Sequence, residues 1–202
     1  MAVQSGTYKG VSAEERTAER RRRLLDATLS VWADPASRTT MTAVCAAAGL
    51  TERYFYESFA NLDAAQSAVL EMVAVQIENV SLAAAEQAGP DPAARIRSAV
   101  RALMDLLVED PRKGRVAIIE AGTMPSLRGR RTELLRHFAH LAAAEAHELE
   151  GLRRRDREDD LAGLLFIGGM AEVVTAWLDG ALDVTVEELV ETATRSFLGL
   201  YG

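Results

Sequence analysis

The chain has one cysteine and five prolines in 202 residues, and each shortage excludes something. A lone thiol, Cys45, cannot build an intramolecular disulfide framework and fits a reducing compartment. Scarce helix breakers, with no run of alternating β-branched residues, argue against a sheet. No N-terminal apolar stretch resembles a signal peptide, and no uninterrupted apolar run reaches the ~20 residues that cross a bilayer. A cytoplasmic protein with no membrane partner is therefore expected. A phosphate-binding glycine loop, paired-cysteine zinc spacing and a nucleophile elbow are missing too, so no catalytic residue, cofactor or metal is expected. Alanine and leucine fill the chain instead. Its length suffices for a proper core, in one domain or in a small one plus a larger one.

The net charge of −7 superficially argues against nucleic acid. Residues 1–60, however, hold 8 Lys/Arg and 7 Asp/Glu, net +1, while residues 61–202 hold 15 and 23, net −8. The acidity lies outside the N-terminal part, where Arg20 to Arg23 are consecutive and Lys9 and Arg16 lie upstream. Such a cluster meets phosphates even under a negative total charge, provided distance does not screen it. A solvated helix face has the same composition, so the run gains meaning only from its neighbours.

Those neighbours are residues 40–59, TMTAVCAAAGLTERYFYESF. Thr40 is a candidate N-cap for a short helix that places Val44 and Ala48 on one face. Gly49 suits the left-handed residue that ends it, because a Cβ resists positive φ. Leu50 then plugs the turn, and Thr51 is placed to cap a second helix. There Phe55 and Phe59 face inward while Arg53, Tyr54 and Tyr56 face out. Cys45 sits where crossing helices need a small side chain, which is packing and not chemistry. The pattern is that of a helix-turn-helix DNA reader; an ordinary helical hairpin in a core is the bland alternative.

The remaining helices follow from their stops. The first is expected from Ser12, with Glu15 completing a capping box, to Ala33, with Leu25, Leu29 and Trp32 buried. A fourth begins after Asn61 and meets no breaker until Gly89-Pro90, some 40 Å on at ~1.5 Å per residue. Pro92 starts another, with Ile96, Val100, Leu103 and Leu107 inward. Shorter or longer helices are expected over 112–121, 130–152, 161–178 and 186–199. The 161–178 helix is apolar on more than one face, which demands burial on several sides, and Gly168-Gly169 would permit close backbone approach there.

From about Arg20 to Leu70 the chain resembles the N-terminal domain of the TetR family of bacterial transcriptional regulators. The likeness rests on Leu24-Leu25-Asp26-Ala27-Thr28-Leu29, Trp32, Thr39-Thr40-Met41, Val44 through Thr51, Tyr56, Phe59 and Asn61. Three positions depart from the family pattern: Glu52 just after the turn, Ser58 in place of a frequent histidine, and Leu62 in place of a frequent lysine. The last removes a phosphate contact and throws weight onto the arginines. Asp110-Pro111-Arg112 through Glu120-Ala121 and the last two helices resemble the family's C-terminal region.

The resemblance implies an all-α protein with an N-terminal arm over 1–12, a three-helix DNA-binding domain over 13–62, and a ligand-binding and dimerisation domain over 63–202. It implies a repressor, not an enzyme: a homodimer that places the helix of about 51–58 from each copy in successive major grooves of a palindromic double-stranded operator. Arg53 and Tyr54 would meet base edges, with Thr40, Thr42, Thr51, Tyr56 and Arg20 on phosphates. A small effector, apolar or amphipathic, such as a fatty acid or acyl chain, would lie among Leu103, Met104, Leu107, Phe138, Phe166, Met170 and Trp177. Glu120 and His137 are candidates for its polar head. The same apolar residues also fill ordinary cores.

Three features remain outside this scheme. His137, His140 and His147 share a helix face near Glu133, but their spacing is poor for a metal, and solvated or pocket-edge histidines are the plainer reading. Arg128 to Arg131 and Arg153 to Arg155 read as structural charge, the second near a helix end. A helical enzyme with an apolar pocket and a partner-binding scaffold stay open as rival functions.

Overall fold

The computed structural model describes residues 12–148 and 156–201. The expected arm, apart from Ser12, and Arg153 to Arg155 fall outside them. Among the described residues every regular element is helical. The chain forms two compact units that divide after Leu70.

In the first unit, α1 (Ala13–Ala33), α2 (Met41–Ala48) and α3 (Glu52–Ser58) lead into α4 (Leu62–Gln87). The capping box of α1 is present: Glu15 N–H donates to Ser12 Oγ at 3.0 Å, and Ser12 N–H donates to Glu15 Oε2 at 2.6 Å. These bonds from Ser12 hold the Glu15 carboxyl below the usual carboxylate range. Leu29 and Trp32 are buried as expected, but Leu24, not Leu25, is the fully enclosed leucine of the helix. The two differ by one residue, about 100° of helix rotation, which is finer than an apolar stripe resolves. The core gathers Leu24, Val44, Cys45, Ala48, Phe55, Phe59 and Ala65, with Leu50 against it. Asn61 caps α4 by accepting from Ala64 N–H at 2.8 Å.

Burial pushes the Cys45 thiol up, and the nearby Glu52 carboxylate adds to the effect. Only the thiolate reacts readily. Native protein is therefore expected to leave Ellman's reagent unreacted over minutes at pH 8, while guanidinium-unfolded protein releases one equivalent. Fast native labelling would place Cys45 at a surface.

In the second unit, Asp91 caps α5 (Pro92–Glu109) by accepting from Ala94 N–H at 2.7 Å, and Pro92 occupies the first turn, where no donor is needed. The helix expected over 112–121 is three pieces: α6 (Pro111–Gly114), a π-helical turn (Arg115–Glu120) and α7 (Ala121–Thr123). A widened turn shifts the backbone register yet leaves the apolar spacing helical, so the pattern cannot reveal it. After a 3-10 turn at Pro125–Leu127 come α8 (Arg128–Glu148), α9 (Asp156–Leu178) and α10 (Val186–Tyr201). Charged residues 156–160 begin α9 instead of preceding it.

The core of this unit contains Met104, Leu107, Val174, Val190, Phe197 and Tyr201. Phe197 meets Phe166 edge-on at 5.2 Å and leans on Tyr201 at 4.7 Å. Burial, with Asp159 and Asp160 nearby, pushes the Tyr201 hydroxyl up to about 12. Ion pairs tie helices at the edges. Arg95 grips Glu145 through two bonds of 2.5 and 3.0 Å, with both side chains largely buried, and Arg97 and Arg101 reach Glu191 and Glu187.

The close approach expected at Gly168-Gly169 lies elsewhere. A Cβ at Gly163 would sit 2.4 Å from the Ala139 carbonyl oxygen of α8, whereas one at Gly168 or Gly169 would meet nothing within 4 Å. By length and mean hydropathy α4 and the Arg157–Leu178 part of α9 match a bilayer span, although neither is an uninterrupted apolar run. Both carry carboxylates: Glu71 of α4 pairs with Arg130 of α8, and Glu78 Oε2 lies 2.8 Å from His137 Nε2 of α8.

Candidate nucleic-acid interface

The turn between α2 and α3 is built on Gly49, whose φ of 61° and ψ of 37° lie in the left-handed region. Its N–H donates to Ala46 O at 3.1 Å, and Leu50 N–H donates to Cys45 O at 3.0 Å. This pair of bonds is the Schellman closure, and Leu50 completes it by packing on the core that holds Cys45. The chain thus reverses sharply, and Phe55 anchors α3 from below while its other face stays in solvent.

On that face Arg53 is 85% exposed, and its Nε donates to Glu57 Oε1 at 3.1 Å. Tyr56 is 58% exposed, its ring edge-on to Phe55. Tyr54 is half-buried, because the Arg20 guanidinium of α1 lies 4.7 Å over its ring. Arg20 also donates to the Thr17 hydroxyl at 2.9 Å. Tyr54 and Arg20 therefore form one stacked unit across α1 and α3.

The threonines divide by their caps. Thr40 accepts from Ala43 N–H at 3.2 Å, which leaves its hydroxyl proton for another acceptor. Thr51 has the extended N-cap backbone but makes no side-chain cap bond, contrary to expectation. The reason is that Tyr54 N–H already donates to the Thr51 carbonyl at 3.0 Å. The Thr51 residue is exposed, as is Thr42.

The arginine run is less free than the sequence implies. Arg21 donates to the Ser58 carbonyl at 2.8 Å and lies 4.3 Å over the Phe59 ring. Arg23 donates to the Ala48 carbonyl at 2.5 Å. Each places a cation at a helix C-terminus, Arg21 on α3 and Arg23 on α2, where the dipole is negative. Arg22 pairs with Glu19 at 2.7 Å. Two of the four arginines thus fix α2 and α3 from behind. Nothing in the local sequence signals these roles, since the partners lie 37 and 25 residues away; the Arg53–Glu57 pair went unread, although its four-residue step is a local signal.

The effector candidates lie in the second unit. Met104 and Leu107 are fully buried in its core, and Leu103, Phe166, Met170 and Trp177 pack partly buried against the same core. Phe138 and His137 neighbour each other on α8, rings 5.8 Å apart, and His137 Nε2 is 2.8 Å from Glu78 Oε2. Glu120 pairs with Arg115 at 3.1 Å across the π-helical turn. The histidines do not converge: His147 Nε2 lies 2.5 Å from Asp159 Oδ2, and His140 is exposed.

No protein-family model matches the chain, and no curated protein does. Solved structures do. The fatty acid degradation regulator FadR from Bacillus halodurans superposes with a TM-score of 0.72 at 19% identity, over 89% of this chain and 95% of that one. The transcriptional regulator FadR from Bacillus subtilis, in complex with stearoyl-CoA, gives 0.70 at 18%, over 90% and 99%. A TetR-family regulator from Mesorhizobium loti gives 0.71 at 18%, over 93% and 98%. Across these spans the chain has the all-helical fold of the TetR-family transcriptional regulators.

Proposed function

We infer that the chain is a TetR-family transcriptional regulator, a repressor that binds a palindromic operator as a homodimer and is released by a small effector. The observation that carries this reading is the solvent face of α3. A short helix held out by the Gly49 turn presents Arg53 at 85% exposure, with Tyr56 and the bare Thr51 hydroxyl beside it. In this scheme Arg53 and Tyr54 read bases. Thr40, Thr42, Thr51, Tyr56 and Arg20 hold phosphates, and the protein is cytoplasmic and not an enzyme. Selecting bound duplexes from genomic fragments with the full chain tests it. Arg53→Ala is then expected to cost about 1–3 kcal/mol at one base position. Uniform weakening across all sequences would demote Arg53 to a phosphate contact.

A second copy would cover the apolar residues left exposed on the last two helices. Leu161, Leu164, Leu165 and Val173 of α9 and Leu200 of α10 are all in solvent, Leu165 at 67%. Leu165→Glu is expected to turn a dimer into a monomer by light scattering, with the helical circular dichroism retained. A wild-type monomer at micromolar concentration would remove the proposal.

For the effector, an acyl chain is the class we favour. The Bacillus subtilis neighbour was solved with stearoyl-CoA, and here Leu103, Met104, Phe166, Met170 and Trp177 gather flexible and aromatic apolar groups. Expulsion from DNA requires that the effector bind one conformation more tightly than the other, and it shifts operator affinity by no more than that difference. α4 runs through both units and is the natural carrier of the change. A ligand that saturates the protein without altering operator affinity would contradict the mechanism.

A further inference from the structure

Arg53 does not hang free in solvent. Its Nε is committed to Glu57 Oε1 one helical turn on, at 3.1 Å. A guanidinium held through Nε keeps a parallel pair of outer N–H groups, one on each terminal nitrogen, directed away from the carboxylate. For Arg53 those terminal nitrogens make no bond to any described residue. We propose that Glu57 is a positioning residue that aims Arg53 end-on at the O6 and N7 atoms of one guanine, so that this chain demands guanine at that operator position. The inference rests on the DNA-binding reading above.

The chemistry follows from complementarity. Guanine offers two adjacent acceptors on its major-groove edge, which two parallel donors satisfy together; adenine replaces one of them with an amino donor. An arginine without Glu57 spreads among rotamers, many of which reach phosphates and carry no sequence information. The carboxylate has a second effect. Glu52 and Glu57 against Arg53 give the seven residues of α3 more anions than cations, which disfavours every duplex through phosphate repulsion. Glu57 thus lowers non-specific affinity while sharpening one contact. Its exposed pair with Arg53 contributes little to folding, so its removal leaves a folded protein to measure.

Gln separates the two effects, because its amide oxygen still accepts from Nε but carries no charge. The full-length chain and its Arg53→Ala, Glu57→Ala and Glu57→Gln variants are selected on randomised duplexes. Each is then titrated on the selected site and on its guanine-to-adenine counterpart. Wild type is expected to prefer guanine roughly tenfold or more, and Arg53→Ala to erase the preference. Glu57→Ala should cut it severalfold while raising affinity for both duplexes. Glu57→Gln should raise both affinities and keep most of the ratio. If both Glu57 variants raise the two affinities equally and leave the ratio untouched, Glu57 acts only as a charge and the proposal is overturned. A selected site with no guanine dependent on Arg53 overturns it too. Wild type that selects no sequence at all defeats the DNA-binding reading itself.

Discussion

Replacing Phe55 by alanine is expected to abolish operator binding by dissolving the surface that presents α3. The ring is fully buried, tilted against Phe59 at 5.7 Å and met edge-on by Tyr56 at 5.9 Å. Removing a buried phenylalanine costs about 3–5 kcal/mol, part lost transfer energy and part cavity. Small domains of this size hold only about 5 kcal/mol in all, so most of the margin of the first unit disappears. Hydrogen exchange is the decisive measurement. Protection should fall over residues 13–59 and persist over α5 and α10, whose contacts lie in the other core. Tyr56→Ala supplies the contrast, because that ring is mostly in solvent: folding should hold and only DNA affinity should drop. Unchanged protection and affinity in Phe55→Ala would mean that α3 does not depend on this anchor.

The contrast between Phe55 and its neighbours explains what the sequence could reveal. The turn was legible because it rests on one left-handed glycine and on apolar residues four apart, both local rules. The caps at Ser12 and Asn61 were legible for the same reason. The roles of Arg21 and Arg23 were not, since each is decided by a carbonyl that only the folded turn brings near. Thr51 failed as a cap because a backbone carbonyl took the donor first, a competition that a residue type cannot announce. The start of α9 was hidden by its charges, which resemble a loop until Asp159 is seen buried against His147. The face of a helix that meets its neighbour was likewise open: Gly168-Gly169 looked like a contact, while Gly163 makes one.

That difference yields a matched pair of substitutions with opposite expected signs. An alanine Cβ at Gly163 would lie 2.4 Å from the Ala139 carbonyl oxygen and 3.2 Å from the Tyr201 hydroxyl. The nearest obstacle is backbone, which cannot rotate away, so α8 and α9 must part. Overpacking of this kind costs about 1–3 kcal/mol and more where main chain is displaced. At roughly 2–4 °C per kcal/mol for a chain of this length, Gly163→Ala should melt about 5–10 °C below wild type. Gly168 lies five residues on in the same helix, and a Cβ there meets nothing within 4 Å of this chain. Helix propensity alone then favours Gly168→Ala by up to ~1 kcal/mol. A second copy packed backbone-close over that glycine would reverse the sign. The melting temperature of Gly168→Ala, followed against protein concentration, therefore reports whether the open face of α9 is occupied in solution. A rise that is independent of concentration would leave Gly168 in solvent and place any contact with a second copy elsewhere. Equal melting temperatures for Gly163→Ala and wild type would show instead that α8 and α9 are not held at the separation the structure gives them.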